Sequence, residues 1–257
     1  MAGRAPDFTA RAGTLKMAGQ PFQLKGASWF GADGAGKVPD GLWVHNASFY
    51  LNFLARNGFN AVRLPFALDN ALSDDLPDAN MLRAVPAWRG LRYLDVIERI
   101  VDAAADEGLL VLLDLQRLRS TVWPDDGLWF APGITLEKVM TMWDRIQNRF
   151  CSHWNVLGAD LLNEPHGAIW ADWATAATSL GNFVLSRCPR WLIFVEGVAH
   201  KGHEDVSEFF WGENLIDAGR QPLALGAADK IVYSPHVCSA CARVRHGTAP
   251  TLCIDLM

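Results

Sequence analysis

Short runs of almost wholly apolar residues recur along this chain, at 22–29, 61–66, 109–115, 156–162, 191–195 and 230–234. A strand with one wet face alternates apolar and polar side chains, so a run without alternation must be covered on both faces. Between the runs lie stretches of helical period. The first starts at Asn46, a good N-cap, and stops at Gly58, with Phe49, Tyr50, Phe53 and Leu54 on one face. The second covers about 91–107, with Leu94, Ile97, Val101 and Ala104 as its stripe, and stops at Gly108. A third covers 136–150, and a fourth covers 172–187, stopping before Pro189. Doubly covered strands separated by helices make an α/β fold with a parallel sheet.

Two architectures build such a sheet, a doubly wound open sheet and a closed (β/α)8 barrel. The loop after the first run is no phosphate cradle, because Gly31, Gly34 and Gly36 lack the spacing of one. Polar residues gather instead where the runs end: Arg63, Gln116, Asn163 with Glu164, Glu196 and His236. Several strand ends feeding one mouth is the logic of a TIM barrel. The count is short, since a barrel takes about eight strands in about 250 residues. The expected fold is therefore an incomplete (β/α)8 TIM barrel over residues 14–237, with about six of its eight βα units. Residues 238–257 show neither period, and the composition shifts abruptly at Cys238. They read as an atypical C-terminal tail of the kind a shifted reading frame or alternative splice produces. A barrel shortened in this way exposes two sheet edges and is expected to be poorly soluble or molten.

Charge and cysteines narrow the partners. The formal charge is -5 and the pI near 5.8, which argues against a nucleic-acid binder, since that would need a basic face. Arg117 and Arg119 read as solvated loop surface. No window reaches the length of a membrane span, and residues 1–20 lack the apolar run of an export signal. As written, the chain is expected in the cytoplasm and off the membrane. The five cysteines, three of them crowded at the end, argue against a disulfide framework. Cys238, Cys241, His246 and Cys253 approach a zinc knuckle, but the last gap is too long. Neither metal nor other cofactor is expected. Tryptophan, at eleven residues, far outnumbers tyrosine at three. Trp43, Trp123, Trp129 and Trp170 sit in loop-like stretches, where indole faces either fill a core or stack on sugar rings.

The sharpest local feature is Asp160-Leu161-Leu162-Asn163-Glu164-Pro165-His166. An apolar strand runs into a carboxylate, and the proline after it stops the ladder, so Glu164 faces the mouth. A glutamate there serves as a general acid once its surroundings raise its pKa, and as a salt-bridge partner otherwise. Asn163 can hydrogen-bond a sugar hydroxyl. Of the remaining histidines, 45, 153, 166, 200 and 203 read as loop or surface residues, with His166 close enough to the acid to touch substrate. The acidic stretch Glu204, Asp205, Glu208 and Glu213 reads as solvated.

The run Asn163-Glu164-Pro165 resembles the acid/base motif of glycoside hydrolase family 5, the cellulase-like retaining barrels. Other stretches agree in order along 14–237. Lys25-Gly26-Ala27-Ser28-Trp29-Phe30-Gly31 is similar to the family's first strand and Asn60-Ala61-Val62-Arg63-Leu64-Pro65 to its second. Ile193-Phe194-Val195-Glu196-Gly197-Val198 is similar to the fifth and Val232-Tyr233-Ser234-Pro235-His236 to the sixth. The resemblance implies hydrolysis of O-glycosyl bonds in a β-1,4-glucan such as cellulose, with an oligosaccharide or polysaccharide as partner, in a family typically secreted. It implies a retaining mechanism with two carboxyl groups about 5–5.5 Å apart. Glu164 matches the acid/base. Arg63 is implied to hold the nucleophile, His236 and Asn163 to position sugar and carboxylates, and Trp43, in Gly41-Leu42-Trp43, to offer an aromatic platform.

The chain departs from the family pattern at four places. The nucleophile belongs on a seventh strand that cannot be placed. Gln116 stands where a histidine is usual and Cys238 where a tyrosine is usual. The tryptophan of the eighth strand is absent. Glu196, on the neighbouring strand, stands beside Glu164 rather than across a cleft from it. The alternative to a hydrolase is accordingly a barrel remnant that binds β-glucan without cutting it.

Overall fold

The computed structural model describes residues 5–199 and 209–237. The chain opens with a three-stranded antiparallel sheet, β1 (Phe8–Arg11), β2 (Thr14–Met17) and β3 (Gln20–Pro21), which the sequence reading missed. Its two-residue turns, Ala12-Gly13 and Ala18-Gly19, have positive φ at both positions. That geometry matches the twist of a tight hairpin but is rarely signalled by alanine. This small sheet closes the bottom of the larger one. Phe8, Leu15, Phe22 and Leu24 pack on Ala61, Leu110, Leu157 and Leu192. Lys230 fastens it by donating to Phe8 O at 2.6 Å and Asp7 Oδ1 at 2.9 Å.

The main unit runs β4 (Gly26–Ser28), α1 (Ala47–Arg56), β5 (Ala61–Ala67), α2 (Leu68–Ser73), α3 (Tyr93–Asp106), β6 (Leu110–Arg117) and α4 (Leu136–Phe150). It continues through β7 (Val156–Asp160), α5 (Trp170–Arg187), β8 (Leu192–Val195) and β9 (Ile231–Tyr233). The six strands β4 to β9 pair in chain order, all parallel. This is an incomplete (β/α)8 barrel, and every predicted apolar run supplies one of its strands. The central strands β5, β7 and β8 are buried throughout, as absence of alternation requires.

The helices largely follow the sequence. Asn46 caps α1 by accepting from Phe49 N, and Leu94, Ile97, Val101 and Ala104 of α3 are all buried. The stripe expected on α1 is corrected. Its buried side is Ala47 and Leu51, whereas Phe49 and Phe53 are exposed. The reason is position: α1 flanks the edge strand β4 and packs against α3 on one side.

Three further expectations change. Cys151 and Cys188, in a chain whose cysteines suggested no disulfide framework, form a disulfide, because they are the C-caps of the adjacent helices α4 and α5 with Cα atoms 5.5 Å apart. Arg117 is not solvated: it pairs with the buried Asp33 and lies 4.6 Å from the Trp123 ring. Trp170 belongs to the core, its indole donating to Gln221 O at 2.8 Å. The tail 238–257 with its four candidate zinc ligands lies outside the described residues, as do His200, His203, Glu204, Asp205 and Glu208. No helix among the described residues is long and apolar enough to cross a membrane.

Candidate active site

The site is built where strands end. Beyond β7 the chain keeps contact with both neighbours, Leu161 N donating to Phe194 O and Asn163 N to Leu115 O. Glu164 then takes φ of 48°, a left-handed conformation uncommon outside glycine. Such backbone persists only where the surroundings over-determine it, and here they do. The Glu164 amide donates to Glu196 Oε2 at 2.6 Å. The Glu164 carbonyl lies 2.7 Å from His166 Nδ1, and its carboxyl Oε1 lies 3.1 Å from His236 Nδ1.

Beneath Glu164 sits Arg63 of β5, its side chain 2% exposed. Its Nε donates to Asp160 Oδ2, and its Nη2 donates to Asn163 Oδ1 and Glu196 Oε1, each at 3.0 Å. Nη1 reaches Gln116 Oε1 at 3.3 Å, and Asp114 Oδ1 pairs with Nη2 at 3.0 Å. Five strands, β5 to β9, thus contribute through their bodies or C-terminal ends to one cluster. Arg63 was expected to hold a nucleophile; the partners it has among the described residues are the buried carboxylates and amides around it.

The electrostatics follow from burial. One guanidinium faces Asp114, Asp160 and Glu196, all nearly inaccessible. Burial opposes the charge of Arg63, yet these three carboxylates raise its pKa above the ordinary value. Burial lifts Asp114 well above the usual carboxylate range, with Asp160 and Glu196 adding to it against Arg63. Burial pushes Glu196 up to about 7, with His236 opposing. Burial also works against a charged His236, but Glu196 and the bonds to Glu164 and Glu196 push it up to about 11. These neighbours favour the protonated form of His236, which lies between two carboxyl groups with its Nε2 3.0 Å from Glu196 Oε1.

The structure brings together Glu164, Arg63, Gln116, Asn163 and His236 of the six residues singled out in the sequence. Trp43 stays apart from that hydrogen-bonded cluster, half-buried between β4 and α1. Asp160, Gly212 and Trp211 were missed. A carboxylate inside the apolar run 156–162 was the available signal for Asp160. Gly212 has φ of 72°, and a Cβ there would stand 2.6 Å from Glu196 Oε2. Its carbonyl accepts from Gly197 N and His236 N, so it closes tightly over the pair. His166 is no plain surface residue: its Nε2 lies 3.1 Å from Asp125 O, and its ring stacks on Trp211 at 3.8 Å. It thereby ties the loop after β6 to the turn that holds Glu164.

A half-buried glutamate at a strand end, beside a histidine and over an arginine floor in an incomplete barrel, resembles the sites of barrel glycosidases. The comparisons agree. The family description cellulase (glycosyl hydrolase family 5) matches residues 15–242. An endoglucanase of Paenibacillus polymyxa is 31% identical over 229 residues, covering 85% of this chain and 56% of that protein. The major extracellular endoglucanase of Xanthomonas campestris pv. campestris is 32% identical over 231 residues, covering 85% of this chain and 46% of that protein. An endocellulase from Pyrococcus horikoshii, solved in complex with cellotetraose, superposes with a TM-score of 0.80 at 32% identity, over 92% of this chain and 70% of that one. The chain belongs to glycosyl hydrolase family 5. It spans about half the length of the curated relatives it matches.

Proposed function

We propose that this chain carries the acid/base half of a retaining β-1,4-glucan hydrolase. Glu164 donates a proton to the leaving glycosidic oxygen and later takes one from water. Asn163 and Gln116 meet sugar hydroxyls, His236 orients the acid, and Trp43 offers a stacking face outside the cluster. The observation that carries the reading is the threefold hold on Glu164, by Glu196, His166 and His236, at a strained backbone position in the mouth. The names of the relatives, endoglucanases and an endocellulase, support a cellulose-like substrate. The Cys151–Cys188 bond fits an oxidising compartment, and secretion replaces the cytoplasmic reading.

One observation favours a second reading, binding without cleavage. Among the described residues, the carboxylates nearest Glu164 in the cluster, Asp114, Asp160 and Glu196, are buried against Arg63, and none is free to attack a sugar. Release of reducing ends from a soluble β-1,4-glucan, with Glu164→Gln as control, separates the two. Release that disappears in the control supports the hydrolase. Retention on insoluble cellulose with no release supports the binder, and equal release by both proteins removes Glu164 from the acid role.

A further inference from the structure

Two of the three holds on Glu164 lead to the same side chain. The Glu164 amide ends on Glu196 Oε2, and its carboxyl reaches Glu196 Oε1 through the His236 ring. Glu196 is wholly buried, and Gly212 comes so close to its carboxylate that a Cβ there would stand 2.6 Å from Oε2. Its backbone is also fixed, the Glu196 carbonyl accepting from the Trp173 indole at 3.0 Å. Glu196 also accepts from the Glu164 amide and from Arg63, and in its ionised form it can only accept, so the ring then presents Nε2–H to Glu196. That choice sets Nδ1 against Glu164 and leaves one proton on the axis between Nδ1 and Oε1. The proton sits on nitrogen, giving imidazolium against carboxylate, or on oxygen, giving imidazole against carboxylic acid. Passing between the two breaks one N–H bond, forms one O–H bond and changes nothing else.

We propose that Glu196 is a positioning residue for Glu164, acting through His236 and through the Glu164 amide to aim the acid and to keep its proton in the site. The inference rests on reading Glu164 as the acid/base. The charged groups around His236 are Glu164 from the turn after β7, Glu196 from the end of β8, Arg63 from β5 and Asp114 from β6. Of these, Glu196 is the strongest in favour of the protonated ring. A lesser role, Glu196 as a mere counter-charge to Arg63, also predicts a destabilised Glu196→Gln protein. The two roles differ only in what happens at His236.

The test is a pH titration of the full chain labelled with ¹⁵N-histidine, followed through the ring nitrogens, with His236 assigned by its absence in His236→Gln. In the wild type both ring nitrogens stay protonated well beyond the ordinary histidine range. Glu196→Gln lowers the His236 titration by more than about one pH unit, and further than Glu164→Gln does. An unchanged His236 in Glu196→Gln overturns the proposal. If that variant does not fold, the wild type decides alone: a bare Nε2 at neutral pH overturns it, and a protonated Nε2 supports it. Glucan hydrolysis is scored separately, so an inactive chain with the predicted His236 coupling tells against the acid/base reading and not against the Glu196–His236 link.

Discussion

Glu196 and Glu164 are joined through the backbone rather than carboxyl to carboxyl: Glu196 Oε2 accepts the Glu164 amide at 2.6 Å. A carboxylate accepting a peptide N–H forms a charge-assisted bond, among the stronger kinds available. It offsets the cost of the left-handed backbone at Glu164, about 1–2 kcal/mol for a residue with a Cβ. Everything that shapes Glu196 therefore shapes the backbone at Glu164.

Gly212→Ala tests that dependence. The new methyl must enter a space 2.6 Å from Glu196 Oε2 and 3.3 Å from Glu164 Cα, at a residue whose φ is 72°. Left-handed backbone alone costs about 1–2 kcal/mol, and the displaced carboxylate adds to it. The expected loss is about 1–3 kcal/mol by urea unfolding, with a shift of the His236 ring signals. A variant as stable as the wild type with unmoved signals would show that Gly212 does not confine the pair.

Arg63 is the cation on which the buried carboxylates depend. Arg63→Met leaves Asp114, Asp160 and Glu196 together without it. Removing one side of a buried ion cluster costs about 3–5 kcal/mol. Part of that loss should return at acid pH, when the carboxylates protonate and no longer need a partner. Equilibrium unfolding at neutral and acid pH measures both, and an equal loss at the two would contradict the charge argument. Asp114→Asn should cost far less than Arg63→Met, because burial already favours the neutral form of Asp114.

The barrel strands and their order were legible because burial on both faces leaves an unmistakable apolar run. The convergence of Arg63, Gln116, Asn163, Glu164 and His236 followed from where those runs end, and the place of Glu196 beside Glu164 followed from strand adjacency. What stayed hidden depended on relations between distant residues. Ala12 and Ala18 give no sign of positive φ, so the N-terminal sheet was missed. Phe49 and Phe53 have the right spacing for a core face, but which side of α1 is covered is decided by its neighbours. His166 looked like a loop residue because its partners, Asp125 and Trp211, come from other βα loops. Cys151 and Cys188 pair because two helices end side by side, a fact of packing rather than spacing.

That pairing carries its own expectation. The disulfide closes a separation of 37 residues. Cross-links of this span stabilise by about 2–4 kcal/mol, chiefly by restricting the unfolded chain. Reduction, or Cys151→Ser with Cys188→Ser, should lower the Tm while leaving the His236 titration unchanged, since the bond lies at the C-terminal ends of α4 and α5 and the site at the strand ends. A Tm indifferent to reductant would mean that the link adds nothing to stability.

The pH dependence of stability follows from His236 and Glu196 together. His236 is pushed from an ordinary 6.5 up to about 11, so the folded state holds its proton more tightly than the unfolded chain. Its contribution is complete below about 6.5 and is lost as pH rises through about 11. Glu196 is raised from 4.5 to about 7, so its contribution is complete below about 4.5 and is lost as pH rises through about 7. Both have the same sign: the urea midpoint should fall as the pH is raised from mildly acidic to alkaline. The alkaline part belongs to His236, and His236→Gln, which cannot titrate, should flatten the slope above neutrality and lower the midpoint most at acid and neutral pH. A wild-type midpoint that rises through the alkaline range, or an alkaline slope identical in His236→Gln, would show that the ring between the two glutamates is not the group that holds the proton.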